Sequence, residues 1–204
     1  GTNPREFIPL LFAGLNPWLF ISGSAEGGTF AFLSAEGYLK QTTVHAQIFP
    51  IRSTMVAFIN LLYSVLAFFT IYLFLQPDSF GSKMLMVFPG LLIIFVFSLA
   101  WANISAVINL NIRDYQPLQS LILQGLFYAT PIIFPAEMLK EKGFEFIYQI
   151  NPIYYMLEVV RKPMLGNELP ELKVYLIAIL IAVITFIVSI VLVMKQKKNI
   201  AFKL

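Results

Sequence analysis

The residues able to do chemistry are few, and their spacing excludes more than it suggests. His45 is the only histidine and there is no cysteine. A histidine-based metal site or a catalytic triad therefore lacks partners, and disulfides, thiol catalysis and cysteine-bound metals are excluded. Gly81-Ser82-Lys83 lacks the upstream loop of a G-x-x-x-x-G-K-[ST] element, so the chain does not bind ATP through a P-loop. No catalytic residue and no metal site is expected. Glu26 stands out because it lies inside a long apolar stretch, where a charged residue costs about 2.5 to 3.5 kcal/mol on insertion scales. It is either a proton relay or ion ligand, or it sits near water beside a helix break at Gly27-Gly28. The break removes most of the cost and is the expected arrangement. Arg113-Asp114 occupies a short polar turn, either as a local ion pair closing it or as a docking or head-group contact.

The elements that must position these groups belong to a membrane. Of the 204 residues 58% are hydrophobic and only 12% charged, against about 25% charged in an ordinary soluble domain. A span needs about 20 mostly apolar residues. Candidate spans cover residues 7–24, continuing more weakly through 26–36, then 55–75, 84–107, 118–134 and 174–194. Residues 135–170 are too polar to span and too apolar for a plain loop. They read as two short helices joined at Asn151-Pro152, lying at the interface or dipping into it, with a small extramembrane cap as the alternative. The expected fold is thus an all-α integral membrane protein, a helical bundle of about five spans with short re-entrant or interfacial helices before the last. The net charge of +3 is too small, and too concentrated in Lys195, Lys197, Lys198 and Lys203, to suggest nucleic acid; these lysines suit a cytoplasmic anchor. That orientation makes residues 37–53 and 109–116 cytoplasmic and residues 135–170 outer-side. It also puts Gly1 outside, which suggests that an earlier span is missing.

Polar residues within the spans recur at helical spacing. Trp18, Ser22, Glu26 and Thr29 share a face, as do Asn60 and Ser64, then Ser98, Trp101, Ser105 and Asn109, then Ser120, Gln124 and Tyr128. Such groups are costly against lipid. The four stripes therefore either hydrogen-bond between helices or surround a path, with the last span, which offers only Thr185 and Ser189, at the periphery.

An ordered set of short motifs completes the reading. Glu26-Gly27, Glu36-Gly37-Tyr38-Leu39-Lys40-Gln41, Ala106-Val107-Ile108-Asn109-Leu110 with Arg113-Asp114, and Thr130-Pro131-Ile132-Ile133-Phe134 come first. Glu137-Met138-Leu139, Asn151-Pro152-Ile153-Tyr154-Tyr155, Arg161-Lys162-Pro163-Met164-Leu165-Gly166 and Ile200-Ala201-Phe202 follow. Over essentially the whole chain this order resembles the permeases of bacterial polysaccharide-export ABC transporters, of the O-antigen, capsule and teichoic acid type. The resemblance implies a single transmembrane domain over residues 1–204, truncated at its N-terminus from a six-span family pattern that begins with an amphipathic interfacial helix.

The resemblance further implies a permease homodimer in the bacterial cytoplasmic (inner) membrane, paired with separate ABC ATPase subunits that carry ATP and Mg. The chain itself is then a transport subunit rather than an enzyme and holds no cofactor. The cargo implied is a polysaccharide on a polyprenyl pyrophosphate lipid. Aromatic rings can hold sugar C–H faces without fixing one register, which makes Trp18, Phe20, Trp101, Phe127, Tyr128 and Phe134 the candidates for the path. Arg52 and Arg113 are the cytoplasmic-side candidates for the pyrophosphate. Residues 37–53 are the expected coupling segment to the ATPase, with Tyr38, Lys40, Gln41 and Gln47 as contacts. Many relatives carry a Phe-Pro-Arg-Glu-like run there, and this chain departs from it with Val44-His45-Ala46-Gln47. A drug or small-lipid exporter on a related fold is one alternative. A polyprenyl-phosphate sugar transferase is another, disfavoured because most acids fall on the outer side.

Overall fold

A computed structural model of the chain describes residues 4–41, 44–77, 80–134, 143, 145–166, 168–196 and 200–203. The described residues form α1 (Pro4–Phe30), α2 (Glu36–Gln41), α3 (Ile48–Leu75), α4 (Val87–Asn111) and α5 (Tyr115–Ala129). They continue as α6 (Glu145–Gln149), α7 (Pro152–Leu165), α8 (Leu172–Gln196) and α9 (Ile200–Lys203), with short 3-10 turns before α2 and α4. Among the described residues, four segments are long and apolar enough to cross a membrane: Phe7–Phe30, Ile48–Leu75, Ser82–Asn111 and Leu172–Gln196. Lipid offers no partner to a backbone N–H or C=O, so a spanning segment must satisfy its own as a continuous helix. The all-helical membrane bundle expected from the sequence is what the chain forms.

Two elements differ from expectation. The helix break at Gly27-Gly28 does not occur, since α1 continues to Phe30. Gly28 is instead a contact point: a Cβ there would stand 2.6 Å from Ala102 Cα, so a residue without one lets the backbones of α1 and α4 touch. Glu26 is left exposed one turn before the helix ends. The span expected over 118–134 is the shorter α5, 15 residues long, about 22 Å at helical rise against a hydrocarbon core of about 30 Å. It starts early because Pro117 is tolerated in a first turn. It stops at Ala129 because Thr130 precedes Pro131 and is extended, with φ −107° and ψ 133°, as ring crowding requires of such a residue.

Helix α4 is the hub. It packs against α1, α3, α5, α7 and α8, and its buried positions surround it on all sides. Helix α8 fully buries Ala178, Ala182, Ser189 and Val193, a stripe of mostly small residues against its neighbours, packs Val174, Tyr175, Ile181 and Leu192 partly beside it, and exposes much of its remaining apolar surface. That is the peripheral last span the sequence suggests. Helix α7 is an internal element rather than a surface cap: it packs against α1, α4 and α8, and nine of its 14 residues are buried. Local chemistry fixes its ends. Asn151 accepts the N–H of Ile153 at 2.9 Å as N-cap, Pro152 opens the first turn, and Gly166 closes it in the left-handed conformation at φ 73°. Residues 135–142, 144 and 167 of the expected outer segment lie outside the described residues, as do Lys197 and Lys198.

A second, smaller apolar cluster binds the basic end of the bundle together. Leu39 of α2 and Ile200 of α9 are buried with Phe32, Ala106, Leu110 and Val193, from the ends of α1, α4 and α8. Lys203 reaches from α9 to Asn111 Oδ1 and lies 3.2 Å from Gln196 Oε1.

Candidate functional site

A concave groove runs between α1 and α3. Three open cavities of about 530, 820 and 810 Å³ follow one another along it. Asn16 and Ser64 border both the first and the second, and Ser53 and Val56 both the second and the third. From Ile8 to Ala31 along α1 the groove runs about 34 Å at helical rise, close to the thickness of a bilayer core. Arg52 lines its basic end, and Ile71 and Leu75 its far end. Ser53, Asn60 and Ser64 lie at i, i+7 and i+11, on one face of α3. Asn16 comes from α1 and is only 8% exposed, with no hydrogen-bond partner for its Nδ2 among the described residues.

The structure divides the six expected path aromatics into separate groups. Trp18, 5% exposed, tilts against Phe127 at 5.7 Å, and Phe127 meets Tyr128 edge-on at 5.5 Å. Tyr128 is 74% exposed. Phe20, 3% exposed, tilts against Phe58 at 5.6 Å, with Phe95 a further 4.8 Å on, and also lines the groove. Trp101 is half-buried and meets Phe97 edge-on at 5.6 Å. Phe134 is half-buried, and its carbonyl accepts from Arg161 at 3.4 Å.

The polar stripes separate in the same way. That of α4 turns inward: Ser105 Oγ donates to Gln119 Oε1 of α5 at 2.6 Å, and Asn109 Nδ2 donates to the carbonyl of Thr29 in α1 at 2.7 Å. These are bonds between helices. The α3 stripe lines the groove, whereas Gln124 and Tyr128 of α5 face outward.

At the basic end, Tyr38, Lys40 and Gln41 are exposed on or beside the buried Leu39, and Gln47 is half-buried. Lys40 Nζ donates to Glu36 Oε1 at 2.6 Å. That bond, and the Lys40 charge with it, hold the Glu36 carboxyl below the ordinary carboxylate range, with a further downward contribution from Arg113. The local ion pair considered for Arg113-Asp114 is not formed: both residues are exposed, and the nearest consequence of the Arg113 charge falls on Glu36. Arg52 and Arg113 are therefore two separate exposed cations, of which Arg52 borders the groove.

One constellation escaped sequence reasoning. Glu158 and Arg161, one turn apart on α7, form an ion pair with side chains 2% and 4% exposed, and Lys162 Nζ stands 3.8 Å from Glu158 Oε2. Arg161 Nη1 also donates to the Pro131 carbonyl at 2.6 Å, and Asn151 Nδ2 donates to Thr130 Oγ1 at 2.7 Å. The non-helical residues after α5 are thus held by α7. Gly14 admits them against α1, because a Cβ there would overlap the carbonyl of Ile132. The available signal was a Glu and an Arg at i, i+3, with Lys162 beside them, inside the mostly apolar run from Met156 to Leu165.

A bundle of this kind, with apolar spans around a central helix, a short helix buried beside them and a membrane-length groove, defines a multi-pass membrane protein. The chain belongs to the ABC-2 type transporter family, which matches residues 9–165. It is 28% identical over 172 residues to the O-antigen export system permease protein RfbA of Myxococcus xanthus, covering 83% of this chain and 65% of that one. It is 26% identical over 153 residues to the protein of the same name from Klebsiella pneumoniae, covering 74% and 58%. Nodulation protein J of Neorhizobium galegae is 29% identical over 118 residues, covering 56% and 44%. The chain thus spans less than two thirds of the length of these relatives.

Proposed function

We propose that the chain is the permease subunit of an ATP-driven exporter that moves a polyprenyl-pyrophosphate-linked surface polysaccharide across the bacterial cytoplasmic membrane. The observation that carries this reading is the similarity to O-antigen export permeases along 83% of the chain. The chain contributes transport and no catalysis; ATP and Mg belong to a separate ABC ATPase, and two permease copies form the pathway. The anchoring of α2 supports a coupling role, because a force applied to exposed Lys40 or Gln41 is passed through buried Leu39 to the ends of α1, α4 and α8. Tyr38 and Gln47 flank that contact. Arg52 and Arg113 attract the pyrophosphate from the cytoplasmic side; of the six aromatics, the exposed Tyr128 is free to face sugar as it moves, whereas Trp18 and Phe20 are buried among other rings.

The test is ATP hydrolysis by the purified permease–ATPase complex in lipid. Stimulation by the lipid-linked polysaccharide, with none by amphipathic drugs or short-chain lipids, is the expected result. Stimulation by drugs alone would make it an exporter of another class.

A further inference from the structure

We propose that α9 is a strap that positions α2 for its contact with the ATPase, with Ile200 and Lys203 as the positioning residues. The inference rests on the coupling role given to α2 under the proposed function, and it assigns a task to a segment that neither the groove nor the polar stripes use.

Helix α2 cannot hold its own place. It has six residues, Gly37 among them, and Leu39 is its one buried side chain. Isolated helices shorter than about 12 to 15 residues are marginal in water, and glycine weakens them further. The Glu36–Lys40 pair adds little, because both side chains are exposed. The 3-10 turn Leu33–Ala35 runs straight into Glu36 and fixes where α2 starts. Its direction needs a contact from elsewhere in the chain. Of the elements distant in sequence, α9 is the one that packs most extensively on α2, and α9 packs on α4 as well.

The side chains show how the strap is tied. Ile200, 2% exposed, lies in one apolar cluster with Leu39 of α2, Leu110 near the end of α4 and Val193 near the end of α8. One turn on, Lys203 Nζ donates to Oδ1 of Asn111, the last residue of α4. Asn111 Nδ2 is committed to the Val107 carbonyl at 2.6 Å, which turns the amide oxygen toward the lysine. The same Nζ lies 3.2 Å from Oε1 of Gln196, the last residue of α8. A force on α2 therefore reaches α4 and α8 through α9, besides reaching α1 through the turn. None of these residues belongs to the main core cluster of the bundle, so the strap can loosen while the spans stay packed.

The experiment uses the complete permease–ATPase complex in lipid and reads deuterium uptake over residues 33–41, crosslinking of a cysteine at Gln41 to the ATPase, and polysaccharide moved per ATP hydrolysed. Ile200→Asn should speed exchange over residues 33–41 about tenfold or more, the scale of one buried isoleucine. Lys203→Met keeps the aliphatic stem and loses the donor, and should speed it about threefold. Ile200→Val and Lys203→Arg should stay near the parent. In both disruptive variants crosslinking from Gln41 and transport per ATP should fall, with thermal midpoint and subunit assembly unchanged in Lys203→Met.

Exchange equal to the parent's in both Ile200→Asn and Lys203→Met would overturn the strap. So would a rise matched in the interior of α4, since the whole bundle would then have loosened. Faster exchange confined to residues 33–41, with crosslinking and transport per ATP unchanged, would overturn the positioning role. Failure of the proposed function reads differently: a parent complex that crosslinks through Gln41 and loses the crosslink in Lys203→Met, yet moves no polysaccharide, overturns the cargo and leaves the strap standing.

Discussion

Arg161 Nη1 donates to the carbonyl oxygen of Pro131 at 2.6 Å, across 30 residues of chain. The bond joins α7 to the irregular residues that follow α5, whose carbonyls have left the helical ladder. Irregular backbone within a membrane bundle is tolerated where protein satisfies it, and Arg161 does so while Glu158 neutralises its charge.

Removing one partner should expose that dependence. Arg161→Ala leaves Glu158 buried with only the partly exposed Lys162, 3.8 Å from its other oxygen, as a cation, and breaking a buried pair costs up to about 3 to 5 kcal/mol. The expected outcome is a large fall in thermal midpoint in detergent or lipid. The double change Glu158→Leu with Arg161→Met should recover part of it, because no buried charge is then left alone. A single variant as stable as the parent would show that the pair is not structural.

Helix contact at Gly28 gives a second test. Gly28→Ala forces a methyl group into the Ala102 backbone, and overpacking of this kind costs about 1 to 3 kcal/mol. Gly125→Ala is the control, since nothing lies within 4 Å of a Cβ at that position. Unfolding measurements should separate the two variants, with Gly125→Ala neutral or slightly stabilising.

The Glu36–Lys40 pair predicts a pH response of α2. The Glu36 carboxyl is held low in the folded protein, chiefly by the Lys40 hydrogen bond, so its contribution to stability is present above the unfolded pKa and is lost as the pH falls through the folded one. The window therefore lies below the ordinary glutamate range. An NMR titration of the Glu36 carboxyl should find a depressed midpoint, and Lys40→Met should raise it. Both groups are exposed, so the effect on global stability is small.

Topology and coupling can be read from introduced cysteines. Lys40 and Lys83 lie at opposite ends of the bundle, Lys40 on α2 and Lys83 in the turn before α4. Impermeant thiol reagents should reach a cysteine at Lys83 from outside intact cells, and one at Lys40 only after the membrane is opened. A cysteine at Gln41 should crosslink to the ATPase. Labelling of both lysine positions from one side would refute the arrangement of spans.

Much of the fold was legible where one residue's backbone chemistry decides the matter. Asn151-Pro152 opens α7 where the sequence puts a junction between two helices, because capping and ring geometry act locally. The mostly apolar last span is peripheral for a similar reason: the hydroxyls of Thr185 and Ser189 are satisfied by carbonyls of their own helix. Thr130-Pro131 ends α5 by its own geometry, but the partner that satisfies the freed Pro131 carbonyl is Arg161, which donates to it from 30 residues away. The α4 stripe was visible as a stripe, while its partners Gln119 and Thr29 come from other helices. Asn60 and Ser64 were likewise visible on α3, but the groove they line exists only because α1 brings Asn16 opposite them.

The central claim concerns cargo and direction, and one measurement tests both. The complete permease–ATPase complex is reconstituted in vesicles with the ATPase facing outward, lipid-linked polysaccharide is supplied from that side, and its protection from an external glycosidase is followed over time. ATP should move the polysaccharide into the protected lumen. The movement should stop when the ATPase cannot hydrolyse ATP, and Arg52→Gln should slow it. ATP hydrolysis with the polysaccharide still fully digestible from outside would contradict the account.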